Sequence, residues 1–396
     1  MSERKGTDEI AILAPDASEP RASEVAAKLV AVRAWLFQKG HPAVVLAGPG
    51  PLAWIGAGLT DPIERGAAFG LAWVVVTATR AAIITTNVEA PRFQAEERVD
   101  TLGFEIHAAP WHDPHGLVAL AETIAGASRT QIASDGHPAF GIDADAELSA
   151  LRITLTLPEI ARIRSLGRDA TIALENALRG WRPGERDLAL QARVAAALEA
   201  AGIYAACLIV GGDERVERFR HPVARGVPID RLAMVVVVGQ RDGLHVALTR
   251  FAAAGRPTRA SEAIHERVRA IEALVLEAMR SGTTYGAIAE TLAAGYAAVG
   301  HAEGWRDHYQ GGPVGYRQRE FELAPGQAGD PSWLRLVATG DAVAYNPSLS
   351  GGGKIEDTFL ITADGPELLT TSDEWPTIAS TLTGGRVIPR PAILQA

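Results

Sequence analysis

The sequence HYQGGPVGYRQRE at residues 308–320 combines hydrogen-bonding side chains with three glycines. Glycine has no Cβ, so its backbone can approach a ligand or a neighbouring strand more closely than the backbone of any other residue. This combination is typical of a binding loop. Its hydrogen-bonding members include His308, Gln310, Arg319 and Glu320.

The composition of the whole chain limits its class and its partners. It has 396 residues, of which 47% are hydrophobic and 21% charged, as in an ordinary globular protein with room for two domains. The net charge of −9 is spread without a basic stripe, so we expect neither nucleic acid nor a membrane surface as a partner. A small-molecule substrate is the expected partner.

Cysteine usage and the apolar runs indicate the compartment. Cys207 is the only cysteine, which excludes an intrachain disulfide, and its apolar neighbours predict a buried thiol. The first ten residues lack the layout of a secretory signal, and runs such as 71–76 and 232–238 are too short to cross a bilayer. We therefore expect a cytoplasmic protein, and the Ala- and Arg-rich composition suggests a bacterial one.

The first part of the chain has the pattern of an α/β domain, because β-rich runs alternate with segments of helical spacing. Helical patterns occur at 23–37, 88–99 and 115–125, and strand patterns at 44–46, 71–76 and 81–85. A strand-like run ends at Pro158, where a long helix begins, and proline is favoured in the first turn of a helix. This junction predicts two domains, residues 1–156 and 157–396.

The second part contains a β-hairpin, a helix pair and a glycine turn. Two strand-like runs joined by a Gly-Gln-Arg-Asp-Gly turn predict the hairpin at 231–251, and amphipathic spacing predicts helices at about 260–281 and 284–299. The segment SGGGKI at 350–355 lacks the Ser or Thr and the spacing of a phosphate-binding loop. It predicts a tight glycine turn.

Several segments resemble the creatinase / aminopeptidase P superfamily, the M24 or pita-bread hydrolases. These are the stretch at 308–320, RPGERDLALQARVAAALEAAG at 182–202 and AVAYNPSLSGGGKIEDTFLIT at 342–362, while PLAWIGAG at 51–58 resembles the amino-terminal domain of creatinase. The resemblance implies an α/β (α+β) fold, in which a creatinase-like α/β domain precedes a pita-bread catalytic domain. It also implies a homodimer.

The resemblance places a dinuclear metal centre on five ligand positions, and four of them lack the expected side chain. The five positions are occupied here by Val236, Ala247, Gly312, Asn346 and Glu356, and of these Glu356 alone is an expected ligand. Methyl and isopropyl groups cannot coordinate a cation that needs oxygen or imidazole donors. We therefore expect no metal and no other cofactor, as in the metal-free creatinase and ectoine hydrolase branches.

Those branches imply a hydrolase that cleaves a C–N bond of a small carboxylate-bearing amide, amidine or cyclic amidine. His221, in a polar loop before a proline, matches the acid/base of creatinase, although a lone loop histidine often has no task. Glu356 would orient the attacking water. The remaining candidates for substrate contacts, beside His308 and Gln310, are Arg319, Asn346, Arg250, Glu320 and Trp54.

Other interpretations of these residues stay open. Arg319 could pair with Glu320 on the surface, and Trp54, Glu89 and Arg92 could serve core packing and a surface ion pair. The loss of four ligands also fits a non-catalytic pseudo-peptidase that binds a ligand or a partner protein. A non-hydrolytic tailoring enzyme, acting as a lyase or in a rearrangement, would use the same residues.

Overall fold

The computed structural model describes residues 19–382 and 385–396. Its internal contacts divide the chain into two compact units, of which one ends at Leu151 and the other begins at Arg152. The sequence-based boundary at 156/157 lies inside the second unit. The reason is that Arg152 and Thr154 already bond to the Glu320 and Asp341 side chains of that unit, at 3.0 and 2.6 Å.

The first unit is a six-stranded mixed sheet with helices, in the strand order β4-β3-β2-β1-β5-β6. Its elements are α1 Glu19–Lys39, β1 Ala43–Leu46, α2 Pro49–Ile55, β2 Trp73–Thr77, β3 Ala81–Thr86, α3 Ala90–Ala95, β4 Glu105–Ala109, α4 Gly116–Ala125, β5 Ala133–Ser134, β6 Ile142–Asp143 and α5 Asp145–Ala150, with 3-10 turns at Val99–Leu102 and Arg129–Gln131.

Most elements predicted for this unit are confirmed. The helices predicted at 23–37 and 115–125 are α1 and α4, and the three predicted strands are β1, β2 and β3. The helix predicted at 88–99 is wrong in length. It ends as the short α3, because Arg98 adopts a left-handed backbone (φ 51°) that an α-helix cannot contain.

The second unit contains two four-stranded sheets, ordered β20-β11-β10-β8 and β12-β13-β16-β17, and three two-stranded ribbons. Its elements are α6 Leu157–Arg179, β7 Glu185–Arg186, α7 Asp187–Ala200, β8 Tyr204–Gly212, α8 Asp213–Arg218, β9 Pro228–Ile229, β10 Leu232–Arg241, β11 Leu244–Ala253, α9 Arg259–Ala278, α10 Tyr285–Ala298, β12 Gly311–Val314, β13 Ala342–Tyr345, β14 Ser348–Leu349, β15 Gly353–Lys354, β16 Asp357–Thr362, β17 Gly365–Leu368, β18 Thr377–Thr381, β19 Val387–Pro391 and β20 Leu394–Gln395, with a 3-10 turn at Gly304–Asp307.

Local sequence explains the main helices of this unit. Thr156 and Glu159 form a capping box at the start of α6, with Pro158 in its first turn. The predicted helix pair is confirmed as α9 and α10. Their apolar faces pack together in one core with the inner side chains of β13 and β16.

Two turns expected from the sequence are also confirmed. The predicted hairpin is β10–β11, and its turn residues Asp242 and Gly243 have φ values of 52° and 79°, as a two-residue hairpin turn requires. The glycine turn connects β14 to β15, and Gly351 and Gly352 both have left-handed φ values. Overall the fold is of the mixed α/β (α+β) class.

Candidate functional site

The β10–β11 hairpin presents one face to the candidate site. Val236 lies opposite Thr249 and Val238 opposite Ala247, and side chains alternate along a strand, so these four share a face. Thr249 Oγ1 donates a hydrogen bond to Glu356 Oε2 at 3.1 Å, which places Glu356 over the same face. Two predicted ligand positions, Val236 and Ala247, therefore lie beside Glu356 and carry no donor atom.

Glu356 is buried, and each of its carboxylate oxygens has a protein partner. Oε2 accepts from Thr249, and Oε1 accepts from Arg319 Nη2 at 2.9 Å. The other terminal nitrogen of Arg319 donates to the carbonyl of Gln318 at 2.6 Å. A guanidinium therefore compensates the one acidic group that the predicted ligand set retains.

The other two ligand positions also lack room or free donors for a metal. A Cβ atom at Gly312 would lie 2.6 Å from the carbonyl oxygen of Phe321, so a histidine there would require the backbone to move. The Asn346 amide, oriented as a donor, reaches the carbonyls of Tyr309 and Gln310 at 2.7 and 3.0 Å. These residues do not fit the dinuclear centre that the resemblance implies.

A search for other metal-ligand sets gives the same result. Within residues 19–382 and 385–396, no three His, Cys, Asp or Glu side chains cluster in a way that could hold a metal ion.

Two histidines and a lysine form a hydrogen-bonded chain in the candidate site. His221 Nε2 lies 3.1 Å from His308 Nε2, and Lys354 Nζ lies 3.0 Å from the same His308 atom. His221 is exposed on the loop after α8, whereas His308 and Lys354 are buried. The chain therefore runs from the protein interior to a histidine that a substrate can reach.

The direction of these hydrogen bonds follows from the donors. An ammonium group can only donate, so His308 Nε2 accepts from Lys354 and must itself carry no proton. The contact between the two imidazoles then needs the proton on His221 Nε2. This assignment leaves the lone pair on His221 Nδ1, for which the described part of the chain offers no hydrogen-bond partner.

Burial and mutual repulsion favour the uncharged forms of the groups in this cluster. Burial lowers the pKa of His308 to about 2, with a further contribution from Lys354 and His221. The pKa of His221 is lowered too, chiefly because the protein removes solvent from part of the ring and then because of Lys354, against the opposing effect of Glu356. Burial also lowers the pKa of Lys354. At neutral pH both imidazoles are therefore uncharged, as a proton-accepting group must be.

Gln310 was predicted to contact the substrate, but its side chain bonds inside the protein. Its Nε2 donates to the carbonyls of Trp305 and His308, both at 2.8 Å, and its Oε1 accepts from the Tyr296 hydroxyl at 3.1 Å. All principal donors and acceptors of the amide are used inside the protein. Gln310 holds the loop that carries His308, and we correct its assignment as a substrate contact.

Arg250 is also corrected, because it lies on the opposite face of β11 from Thr249. It donates to Glu175 at 2.8 Å, to Asp357 at 2.9 Å and to the carbonyl of Thr370 at 2.8 Å. Asp357 in turn accepts from Arg390 Nη2 at 2.8 Å. Arg250 therefore belongs to a buried ion network behind the site and has no free fork for a substrate carboxylate.

Glu320 has an interior role as well. Its carboxylate accepts from Arg152 Nε and from the backbone N–H of Tyr316, both at 3.0 Å, and the Arg152–Glu320 pair is completely buried. We correct its assignment as a substrate contact. The alternative interpretation, a surface pair of Arg319 with Glu320, does not hold, since Arg319 bonds to Glu356.

Trp54 lies in α2 of the first unit, where only 2% of its surface is exposed. Its carbonyl accepts from Lys28 Nζ at 2.7 Å. Glu89 and Arg92 form an ion pair at 3.6 Å in the same unit. Trp54 therefore packs in a core, and Glu89 and Arg92 form an ion pair, which agrees with the structural interpretation of these residues and not with a substrate contact.

Lys354 and Ser348 are polar groups that the sequence analysis did not single out. Lys354 precedes Glu356 by two residues in an extended stretch, a spacing that could have suggested a shared face.

Cys207 was predicted to be buried but is partly exposed, and it pairs across the sheet with Val238. Burial raises the pKa of its thiol, and Glu356 adds to this effect.

Comparison with known proteins places the fold. Residues 161–363 match the model of metallopeptidase family M24. Similar solved structures include the dipeptidase PepE from Mycobacterium ulcerans (19% identity, TM-score 0.72, covering 89% of this chain and 96% of that one) and the prolidase from Pyrococcus furiosus (18%, 0.69, 86% and 100%). A search of curated proteins found no match.

A third similar structure is not described as a peptidase. It is the N-terminal domain of the FACT complex subunit SPT16 from Eremothecium gossypii (14% identity, TM-score 0.63, covering 88% of this chain and 96% of that one).

In the described residues of the present chain, no helix is long and apolar enough to span a membrane.

Proposed function

The chain belongs to metallopeptidase family M24, and this membership indicates a hydrolase of peptide-like C–N bonds. We propose that the protein performs this hydrolysis without a metal. The substrate class is a small carboxylate-bearing amide, amidine or cyclic amidine. The observation that carries the proposal is the exposed His221, whose Nε2 is held by His308 while its Nδ1 is free.

Metal independence is supported by the groups around Glu356. A metal pair needs several anionic or imidazole donors in one place. Here Glu356 is satisfied by Arg319 and Thr249, and the space for a ligand at Gly312 is taken by a backbone carbonyl. Loss of the ligand side chains is also the feature on which the sequence resemblance to the metal-free creatinase and ectoine hydrolase branches rests.

In the proposed reaction His221 acts as general base and then as general acid. Its Nδ1 takes a proton from the water that attacks the carbonyl or amidine carbon, and a tetrahedral intermediate forms. The same proton passes to the leaving nitrogen as the C–N bond breaks. A neutral imidazole suits both transfers, and His308 keeps the ring oriented and in one tautomer.

Glu356 and the cations near it would assist this step. Glu356 orients the water or a cationic part of the substrate, and Arg319 fixes the position of the Glu356 carboxylate. Charge that develops on the substrate must be stabilised by preorganised donors, which act strongly in a partly desolvated site. Arg319 and Lys354 are the charged donors that the structure places around Glu356 and the histidines.

A pseudo-peptidase that binds a ligand or a partner protein is the second candidate function. It is favoured by the likeness to a domain of the FACT complex subunit, a protein described as part of a complex. Against it, the polar cluster of His221, His308, Lys354 and Glu356 has not been replaced by apolar residues. A non-hydrolytic tailoring enzyme would differ from the hydrolase only in its products.

A ligand library tests the proposed function. N-acyl amino acids, guanidino acids and cyclic amidines are each added to the protein, and the melting temperature is measured. We expect at least one class to raise it, since a ligand at 100 times its Kd stabilises a protein by about 2.7 kcal/mol. That class should then release an amine or ammonia. Stabilisation without any C–N cleavage would favour the pseudo-peptidase.

A further inference from the structure

A small recess beside the histidine chain is lined by three polar side chains, none of which pairs with a buried carboxylate among the described residues. They are Arg220, Ser348 and Lys354, and the apolar side chains around them are those of Val216, Phe219, Met234 and Leu349. The recess has a volume of about 10 Å³, the space of a single water-sized group. It could take one oxygen atom of a larger ligand.

Strand register brings two of these side chains together. Ser348 lies directly opposite Lys354 in the β14–β15 ribbon, and directly paired residues project from the same face with Cβ atoms about 5 Å apart. Arg220 reaches this ribbon, because its Nη2 donates to Ser350 Oγ at 3.2 Å. Three donors from separate segments therefore converge on the recess.

Two of the donors at the recess, Ser348 and Lys354, are incompletely compensated by the described residues. Ser348 is 1% exposed, and its hydroxyl has no hydrogen-bond partner among the described residues. Lys354 is 5% exposed and contacts only the neutral His308. Within the described ranges no carboxylate lies within 4.0 Å of its ammonium group. Buried polar groups and buried charges normally have partners, so these two indicate a missing ligand.

The local balance of charge indicates the sign of that ligand. Arg220, Arg319 and Lys354 contribute three positive charges, whereas Glu356 is the one buried carboxylate that the described residues place near them, and it is already bound to Arg319. Asp307 lies 3.6 Å from Arg220, but its side chain is largely exposed at the rim. The recess is therefore surrounded by an excess of positive charge.

We propose that this recess takes one oxygen atom of the substrate carboxylate, with Lys354 and Arg220 as the ionic partners of that carboxylate and Ser348 as a hydrogen-bond donor. This inference rests on the proposed function and replaces Arg319 as the main carboxylate contact. Arg220 is the residue before His221, so a carboxylate held here would place the adjoining C–N bond near the acid/base.

Acetate binding tests this site without requiring turnover. Calorimetric titration in low-salt buffer should show acetate binding to the wild-type protein and no binding of the neutral isostere acetamide. Lys354→Met should weaken acetate binding tenfold or more, the effect of one lost hydrogen bond to a charged group. Ser348→Ala, a milder change in case Lys354→Met folds poorly, should weaken it in the same direction.

Two control variants separate the recess from the rest of the protein. Arg168→Met removes an exposed cation on α6 and should leave acetate binding unchanged. His221→Ala should also retain it, since His221 does not line the recess. Equal binding of acetate and acetamide, or an unchanged affinity in Lys354→Met, would overturn the inference. Chloride binding as tightly as acetate would overturn the assignment to a substrate carboxylate.

Failure of this site and failure of the proposed function give different results. Hydrolysis of a neutral amide as fast as that of its carboxylate analogue would overturn the carboxylate site and leave the hydrolase standing. Acetate binding in the recess without C–N cleavage anywhere in the library would support the anion site and count against the hydrolase.

Discussion

Replacing His221 by Ala should lower kcat by roughly a hundredfold or more, the usual contribution of a general acid–base group. The substrate should still bind, because the carboxylate recess does not include this side chain. Folding should be nearly unchanged, since His221 is exposed and its one hydrogen-bond contact is with His308. Steady-state kinetics and thermal unfolding of the variant measure the two effects separately.

The dependence of kcat/KM on pH provides the control for this variant. His221 must be neutral to accept a proton, so activity should fall as the pH drops through its pKa. That pKa lies below the ordinary value of about 6.5, because the removal of solvent from part of the ring and Lys354 both lower it. The acid limb should therefore lie below this value and be absent from any residual activity of His221→Ala.

A different outcome would reassign the acid/base role. If turnover is unchanged in His221→Ala, Glu356 becomes the leading candidate for proton transfer. If instead stability falls by about 1–3 kcal/mol and binding and turnover decline together, His221 has a structural role.

Replacing Arg390 by Met should lower the free energy of unfolding by about 3–5 kcal/mol, the cost of leaving buried charges without their partner. Arg390 is fully buried and donates to both oxygens of Glu272, at 2.6 and 2.7 Å, and to Asp357 at 2.8 Å. Methionine fills a similar volume but leaves Glu272 without the partner of both its oxygens, while Asp357 keeps Arg250 as its ionic partner. Chemical denaturation at neutral pH measures the loss.

An exposed ion pair serves as the matched control for Arg390. Arg164 and Glu367 form a bidentate pair at 2.7 and 2.9 Å, and both side chains are largely solvated. Arg164→Met should therefore cost at most about 1 kcal/mol. A similarly small loss in Arg390→Met would contradict the view that the buried network supports the fold.

The pH dependence of the Arg390→Met variant gives a second check. Burial already raises the pKa of Glu272 in the intact protein, and removal of Arg390 takes away the main opposing effect. A carboxyl group with a raised folded-state pKa binds more protons in the folded than in the unfolded protein, so stability increases as the pH falls. The variant should regain part of its lost stability in mildly acidic solution.

The parts of the fold that depend on local pattern could be predicted from the sequence. The hairpin at 231–251, the helices α9 and α10 and the glycine turn at 350–355 follow from side-chain period and turn chemistry. The left-handed Arg98 that ends the helical pattern at 88–99 could not be predicted, since arginine has no special preference for that conformation.

The roles of individual site residues were harder to predict because they depend on distant partners. Arg250 follows Thr249, and alternation along one strand already places the two on opposite faces, so its interior role was open to prediction. The role of Glu320 was not, because its partner Arg152 is remote in sequence. The meeting of Ser348 and Lys354 likewise depends on a ribbon register that composition does not reveal.

Metal content measured together with turnover tests the central claim most directly. The protein is purified without chelators, its Zn, Mn, Co and Fe are quantified, and hydrolysis of the substrate found in the library is measured before and after dialysis against a chelator. We predict substoichiometric metal and unchanged turnover, because Val236, Ala247 and Gly312 offer no ligating side chain. A stoichiometric metal pair whose removal abolishes turnover, and whose return restores it, would contradict the account.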